Sequence, residues 1–188
     1  MTVLTVANQL TLLRMLLIPG FVLLVIYGEI GWALAILLVA GITDALDGLI
    51  ARRAGQKTTL GAWLDPMADK LLLTSAFVVL TVPGTAIAYR IPLWLTVCIL
   101  SRDIVIVVTV AIVNLALGRR TFRPTALGKA ATAIYIVTCL LCMVLNYLQR
   151  DSPLLTVAVK LSLAITVVSS LHYILHAARI INGPEERG

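Results

Sequence analysis

Asp44, Asp47, Asp65 and Asp69 are four of the nine acidic residues in a chain of 188. Their separations are three, eighteen and four residues. The outer two intervals match the repeat of a helix, so each pair shares one face. All four lie in apolar segments, where an ionisable side chain is costly and marks a functional site by default. Four neighbouring carboxylates cannot all stay ionised without cations between them. An all-oxygen donor set favours a hard ion, Mg²⁺ or Mn²⁺, over zinc or copper. Two such ions bridged by carboxylates are a recurrent device for phosphoryl chemistry. Gly48 follows Asp47 directly. A glycine there weakens a helix, a cost justified where a ligand or backbone must come close, and Gly61 raises the same question on the next segment. Arg52, on roughly the face of Asp44, suits a phosphate.

Two alternatives compete with that reading. A solvated helix face explains paired acids in soluble proteins but fails for four in apolar segments. A divalent-cation transporter using the intramembrane aspartates needs the acids but not Gly48, Arg52 or Gly61. No Cys/His cluster is present. His172 and His176 sit near the far end of the last apolar segment and read as interfacial or structural. Cys98, Cys139 and Cys142 fall in apolar runs and read as small packing residues, without a disulfide framework.

The elements that must position the acids follow from composition. Sixty per cent of the residues are hydrophobic and 13% charged, with a mean hydropathy of +1.02. That profile excludes an ordinary soluble domain and predicts an all-α polytopic membrane protein, one domain over 1–188. Six apolar segments, at about 10–28, 31–52, 59–82, 91–117, 125–148 and 153–181, are long enough to be transmembrane helices. Pro92 and Pro153 sit near helix starts, and Pro19-Gly20 inside the first span is expected to bend it. The connections Gly28 to Gly31, Pro83 to Arg90 and Gln149 to Ser152 are short. No cleavable signal is expected, because the first arginine, Arg14, comes late.

Arg52, Arg53 and Lys57 lie between spans two and three, and Arg119, Arg120, Arg123 and Lys129 between spans four and five. The opposite loops offer Arg90 and Arg150. This bias puts those two loops, and both termini, on the cytoplasmic side of the cytoplasmic (inner) membrane. The residues up to about Leu10 are expected to form a short interfacial helix there. The net charge of +6 suits an anionic membrane surface or phosphate-bearing substrates; the scattered basic residues argue against nucleic acid. Asp44 then lies about 12 Å from the cytoplasmic end of its helix, and Asp65 and Asp69 about 9 and 15 Å from theirs. On antiparallel neighbouring helices the four converge just under the headgroups, within reach of a lipid headgroup and a water-soluble reactant.

The run D44-A-L-D47-G48-L-I-A51-R52, eight residues, G61-A-W-L-D65-P-M-A-D69 resembles the full signature of the CDP-alcohol phosphatidyltransferase family, with every fixed position at its spacing. N8-Q-L-T11-L-L-R14 followed by Pro19 is similar to the opening of its glycerophospholipid branch. The resemblance implies transfer of a phosphatidyl group from CDP-diacylglycerol to an alcohol, release of CMP, two divalent cations (Mg²⁺ or Mn²⁺) per active site, and a homodimer. By motif position it implies that Asp44, Asp47 and Asp65 are metal ligands. It also makes Asp69 the catalytic base, touching the second metal. Gly48, Arg52, Thr58 and Gly61 resemble CDP-contacting positions, and Asn8 and Thr11 residues near the nucleotide and headgroup. No Ser-His or Cys-His arrangement is apparent, so direct displacement is simpler than a covalent intermediate.

The acceptor is read from Arg102, Arg123 and Lys129. Arg102 in S-R-D lies deep in an apolar run and needs a partner, either Asp103 or a substrate. Arg123 and Lys129 face the side of the aspartates and can clasp an acceptor phosphate. The S-R-D and G-K-x-x-T elements are similar to those of phosphatidylglycerophosphate synthases and eukaryotic-type cardiolipin synthases. Asp103 and Ala131, where the former commonly carry Glu and Lys, and F-R-P-T ahead of Lys129 lean to the latter. Glycerol-3-phosphate and phosphatidylglycerol share a glycerol phosphate, and both acceptors stay open.

Overall fold

A computed structural model of the chain describes residues 6–54, 59–117 and 126–182. Over 6–8, 44–54, 59–66, 113–114, 116–117 and 176–182, and at Leu10, it describes the backbone alone. Six α-helices account for nearly all of it: α1 (Val6–Ile26), α2 (Ile30–Ala54), α3 (Thr59–Thr81), α4 (Leu93–Leu117), α5 (Ala126–Tyr147) and α6 (Pro153–Asn182). No strand occurs among the described residues. Helix is what lipid demands of such apolar sequence, since every backbone polar group must be satisfied within its own segment.

Among the described residues three helices are long and apolar enough to cross a membrane, over Leu93–Ile112, Ala126–Tyr147 and Pro153–Leu175. Two shorter apolar stretches, Thr11–Ile26 and Ile30–Thr43, lie in α1 and α2. The chain is thus an integral membrane protein by composition and helix length.

Two compact units divide the chain. The first comprises residues 1–91 and 139–152, the second 92–138 and 153–188. In the first, α1 packs on both α2 and α3, so it is the element that the two acid-bearing helices share. Phe21, Val25, Ala33, Ala40, Ala76, Phe77 and Leu80 are buried there. The turn from α1 to α2 passes through Gly28 at φ +84°, and an added Cβ would also stand 3.3 Å from the Ala86 Cβ, so conformation and space both call for glycine.

Asn146 on α5 makes four hydrogen bonds that help to tie down the connection from α3 to α4. Asn146 Oδ1 accepts from the backbone N–H groups of Ala88 (2.8 Å) and Tyr89 (3.0 Å). Its Nδ2 donates to the carbonyls of Tyr89 (2.9 Å) and Cys142 (2.8 Å). Irregular backbone near an apolar environment needs such partners. All three cysteines are free thiols, Cys139 and Cys142 buried, as packing residues should be.

In the second unit α4 packs on α6, and hydroxyls join α5 to α6. Tyr135 Oη lies 2.6 Å from Thr166 Oγ1, and Thr138 Oγ1 lies 2.8 Å from Ser162 Oγ. Small and hydroxylated side chains of this kind hold membrane helices together, where lipid removes the hydrophobic drive between them.

Candidate active site

The acidic run falls at the end of α2 and the start of α3, on either side of residues 55–58. Helix α2 continues to Ala54, beyond the expected end at Arg52, because Arg, Arg and Ala are all strong helix formers. Asp44 therefore lies about 15 Å from that helix end, rather than about 12 Å. Helix α3 begins at Thr59, as expected. The backbone at Asp44, Asp47, Gly48, Arg52, Gly61 and Asp65 is helical, but their side chains lie outside the described residues, as does that of Asn8. Thr58 and Arg123 lie outside them altogether. No group of three metal-ligating side chains occurs among the described residues. Carboxylates at helical spacing on α2 and α3 are a donor set that fits a hard divalent ion.

Asp69 is described, and it has a partner that sequence reasoning missed. The Arg14 guanidinium, on α1, donates through Nη1 to Asp69 Oδ1. The Arg14 side chain is 1% exposed and that of Asp69 43%. A buried guanidinium needs an anion beside it, because desolvation is otherwise prohibitive. Thr11, a turn earlier on α1, is buried as well. Arg14 carried a signal of its own: an arginine within an apolar helix is a functional-site candidate by default. In the sequence alone it stands as a late first basic residue and as part of the N-Q-L-T-L-L-R opening. The expected interfacial helix up to Leu10 is, from Val6 onward, the first turn of α1.

Of the acceptor candidates, Arg102 makes the local pair: its Nη1 lies 2.9 Å from Asp103 Oδ1, with side chains 13% and 19% exposed. Its Nε is buried without a hydrogen-bond partner among the described residues. Lys129 is exposed near the start of α5.

A sequence model for CDP-alcohol phosphatidyltransferases matches residues 4–172. The chain belongs to the CDP-alcohol phosphatidyltransferase family. It is similar to a Mycobacterium tuberculosis (strain ATCC 25618 / H37Rv) protein named probable phosphatidylglycerophosphate synthase, 36% identical over 94% of this chain and 83% of that protein. It is also similar to the CMP-forming cardiolipin synthase of Streptomyces coelicolor, 40% identical over 69% of this chain and 60% of that protein. The human CMP-forming cardiolipin synthase is 34% identical over 71% of this chain and 48% of its own length. As a member of this family the chain is a phospholipid-synthesising transferase, and the family is in general dependent on divalent metal. The transporter alternative finds no support in these comparisons.

Proposed function

We propose that the chain transfers the phosphatidyl group of CDP-diacylglycerol to a glycerol-phosphate acceptor, either glycerol-3-phosphate or phosphatidylglycerol, and releases CMP. The observation that carries this reading is the complete acidic signature at the end of α2 and the start of α3, in a chain matched over 4–172 by the family. The near full-length similarity to the mycobacterial protein supports glycerol-3-phosphate. The S-R-D and F-R-P-T elements support phosphatidylglycerol.

Asp44, Asp47 and Asp65, with Asp69 at the edge, would hold two Mg²⁺ or Mn²⁺ ions. When bound, these ions supply charge neutralisation at the pyrophosphate and at the departing CMP. Asp69 takes the proton from the acceptor hydroxyl as its oxygen attacks the phosphorus that carries the diacylglycerol; the bond from that phosphorus to the CMP oxygen breaks. Gly48 and Gly61 leave room for the nucleotide. Arg52 and Thr58 contact the CDP group, and Asn8 and Thr11 lie near the nucleotide and headgroup. Arg123 and Lys129 clasp the acceptor phosphate, and the unspent Nε of Arg102 supports its inclusion with them.

All six helices span the cytoplasmic membrane as one catalytic domain, termini and active site on the cytoplasmic side, and two copies form a homodimer. The Lys and Arg bias supports the orientation. The test is turnover of CDP-diacylglycerol by the purified protein with Mg²⁺ or Mn²⁺ and each acceptor in turn. Phosphatidylglycerophosphate or cardiolipin as the lipid product identifies the acceptor. No product from either would sink the proposal.

A further inference from the structure

We propose that Arg14 is a positioning residue that holds Asp69 in place for proton removal, which rests on the role given to Asp69 above. The two residues come from different helices, α1 and α3, packed on each other. Ala68, beside Asp69, is fully buried. The pair is asymmetric. The guanidinium is 1% exposed and the carboxylate 43%, so the cation is built into the protein while the anion looks outward. A short carboxylate side chain that exposed has several rotamers open to it. A guanidinium fixed by its surroundings selects one of them by gripping Oδ1.

Three other readings of Arg14 meet obstacles on the same observations. A topology signal belongs in a loop, whereas Arg14 lies within α1. A direct phosphate contact needs access, which 1% exposure denies. A purely structural pair would be expected to shield both members, and Asp69 is not shielded. The grip on Oδ1 leaves further lone pairs of the carboxylate for other partners, so Arg14 orients Asp69 without standing in for a metal ligand. Its contribution should therefore appear in the chemical step more than in metal affinity.

The test compares the wild type with Arg14→Gln, Arg14→Lys, Asp69→Asn and the double variant Arg14→Gln/Asp69→Asn. It measures kcat, KM for CDP-diacylglycerol, and Mn²⁺ binding followed by electron paramagnetic resonance. Misplacing a catalytic group by about 1 Å costs about 100-fold, so Arg14→Gln should lower kcat by about that factor. KM and Mn²⁺ affinity should stay within about threefold, the pattern of a lost transition-state contribution. Arg14→Lys should recover part of the loss, and the double variant should be no slower than Asp69→Asn alone. The double variant leaves no orphaned buried charge, so it serves the test even where a single variant folds poorly. A double variant slower than Asp69→Asn by the full Arg14→Gln factor would place Arg14 on the substrate and overturn the proposal. Loss of Mn²⁺ binding in Arg14→Gln would make it a support of the metal site instead, and also overturn it. Wild-type kcat in Arg14→Gln would overturn the positioning role alone; no CMP from the wild type would overturn the transferase reading and this role together.

Discussion

Arg14 and Asp69 stand 55 residues apart in the chain, and the guanidinium of one grips a carboxylate oxygen of the other. The contact joins the first helix to the third and brings a buried cation to the outer member of the acidic run. It gives the account a measurable handle, because buried ion pairs respond asymmetrically to mutation.

Deleting one partner of a buried pair costs about 3–5 kcal/mol, since the other charge is left uncompensated. Asp69 is 43% exposed, so solvent screening should reduce that to about 1–2 kcal/mol. Asp69→Asn is therefore expected to lower the unfolding temperature in detergent, and Arg14→Gln on the Asp69→Asn background to restore much of it. Thermal unfolding of the four proteins in the cycle measures the coupling; strictly additive losses would contradict an energetic link.

Metal removal offers a second check. Chelation with EDTA should abolish CMP release, and Mg²⁺ or Mn²⁺ should restore it. Asp47→Asn should weaken Mn²⁺ binding at least about tenfold, since removing carboxylate charge lowers the affinity of an oxygen-ligand site. Retained activity in excess EDTA would contradict the metal assignment.

Asn146 makes four hydrogen bonds to backbone at Ala88, Tyr89 and Cys142. Asn146→Ala strands those groups at about 1 kcal/mol or more each, so a total loss of about 2–4 kcal/mol is expected. The unfolding temperature should fall while turnover per folded molecule is kept, which a thermal scan paired with a rate measurement reads directly.

Arg102→Lys keeps a cation beside Asp103 but removes Nε and the planar fork. If that fork meets the acceptor phosphate, KM for the acceptor should rise about tenfold or more, with KM for CDP-diacylglycerol unchanged. Initial-rate kinetics with each substrate varied decide it; an unchanged acceptor KM confines Arg102 to its pair with Asp103.

The helices were legible because apolar length and turn residues mark them: α3 and α6 begin at Thr59 and Pro153, where the sequence reading placed them. The junction of α1 and α2 was less so. Gly28 was expected to open a connection reaching Gly31, yet α2 starts at Ile30, since one glycine at positive φ completes the turn. At the site, regular spacing exposed the aspartates within α2 and α3. Arg14 escaped because its partner is on another helix, and sequence spacing reports neighbours along one helix, not across two.

The most direct measurement of the central claim is CMP release from CDP-diacylglycerol by the metal-loaded wild type beside Asp69→Asn, with lipid product and Mn²⁺ binding followed in both. The account predicts one CMP per lipid formed by the wild type. Asp69→Asn should run about 10²–10⁴-fold slower, the usual worth of a general base, while still binding Mn²⁺. Asp69→Asn turning over at the wild-type rate, or a wild type that releases no CMP with either acceptor, would contradict it.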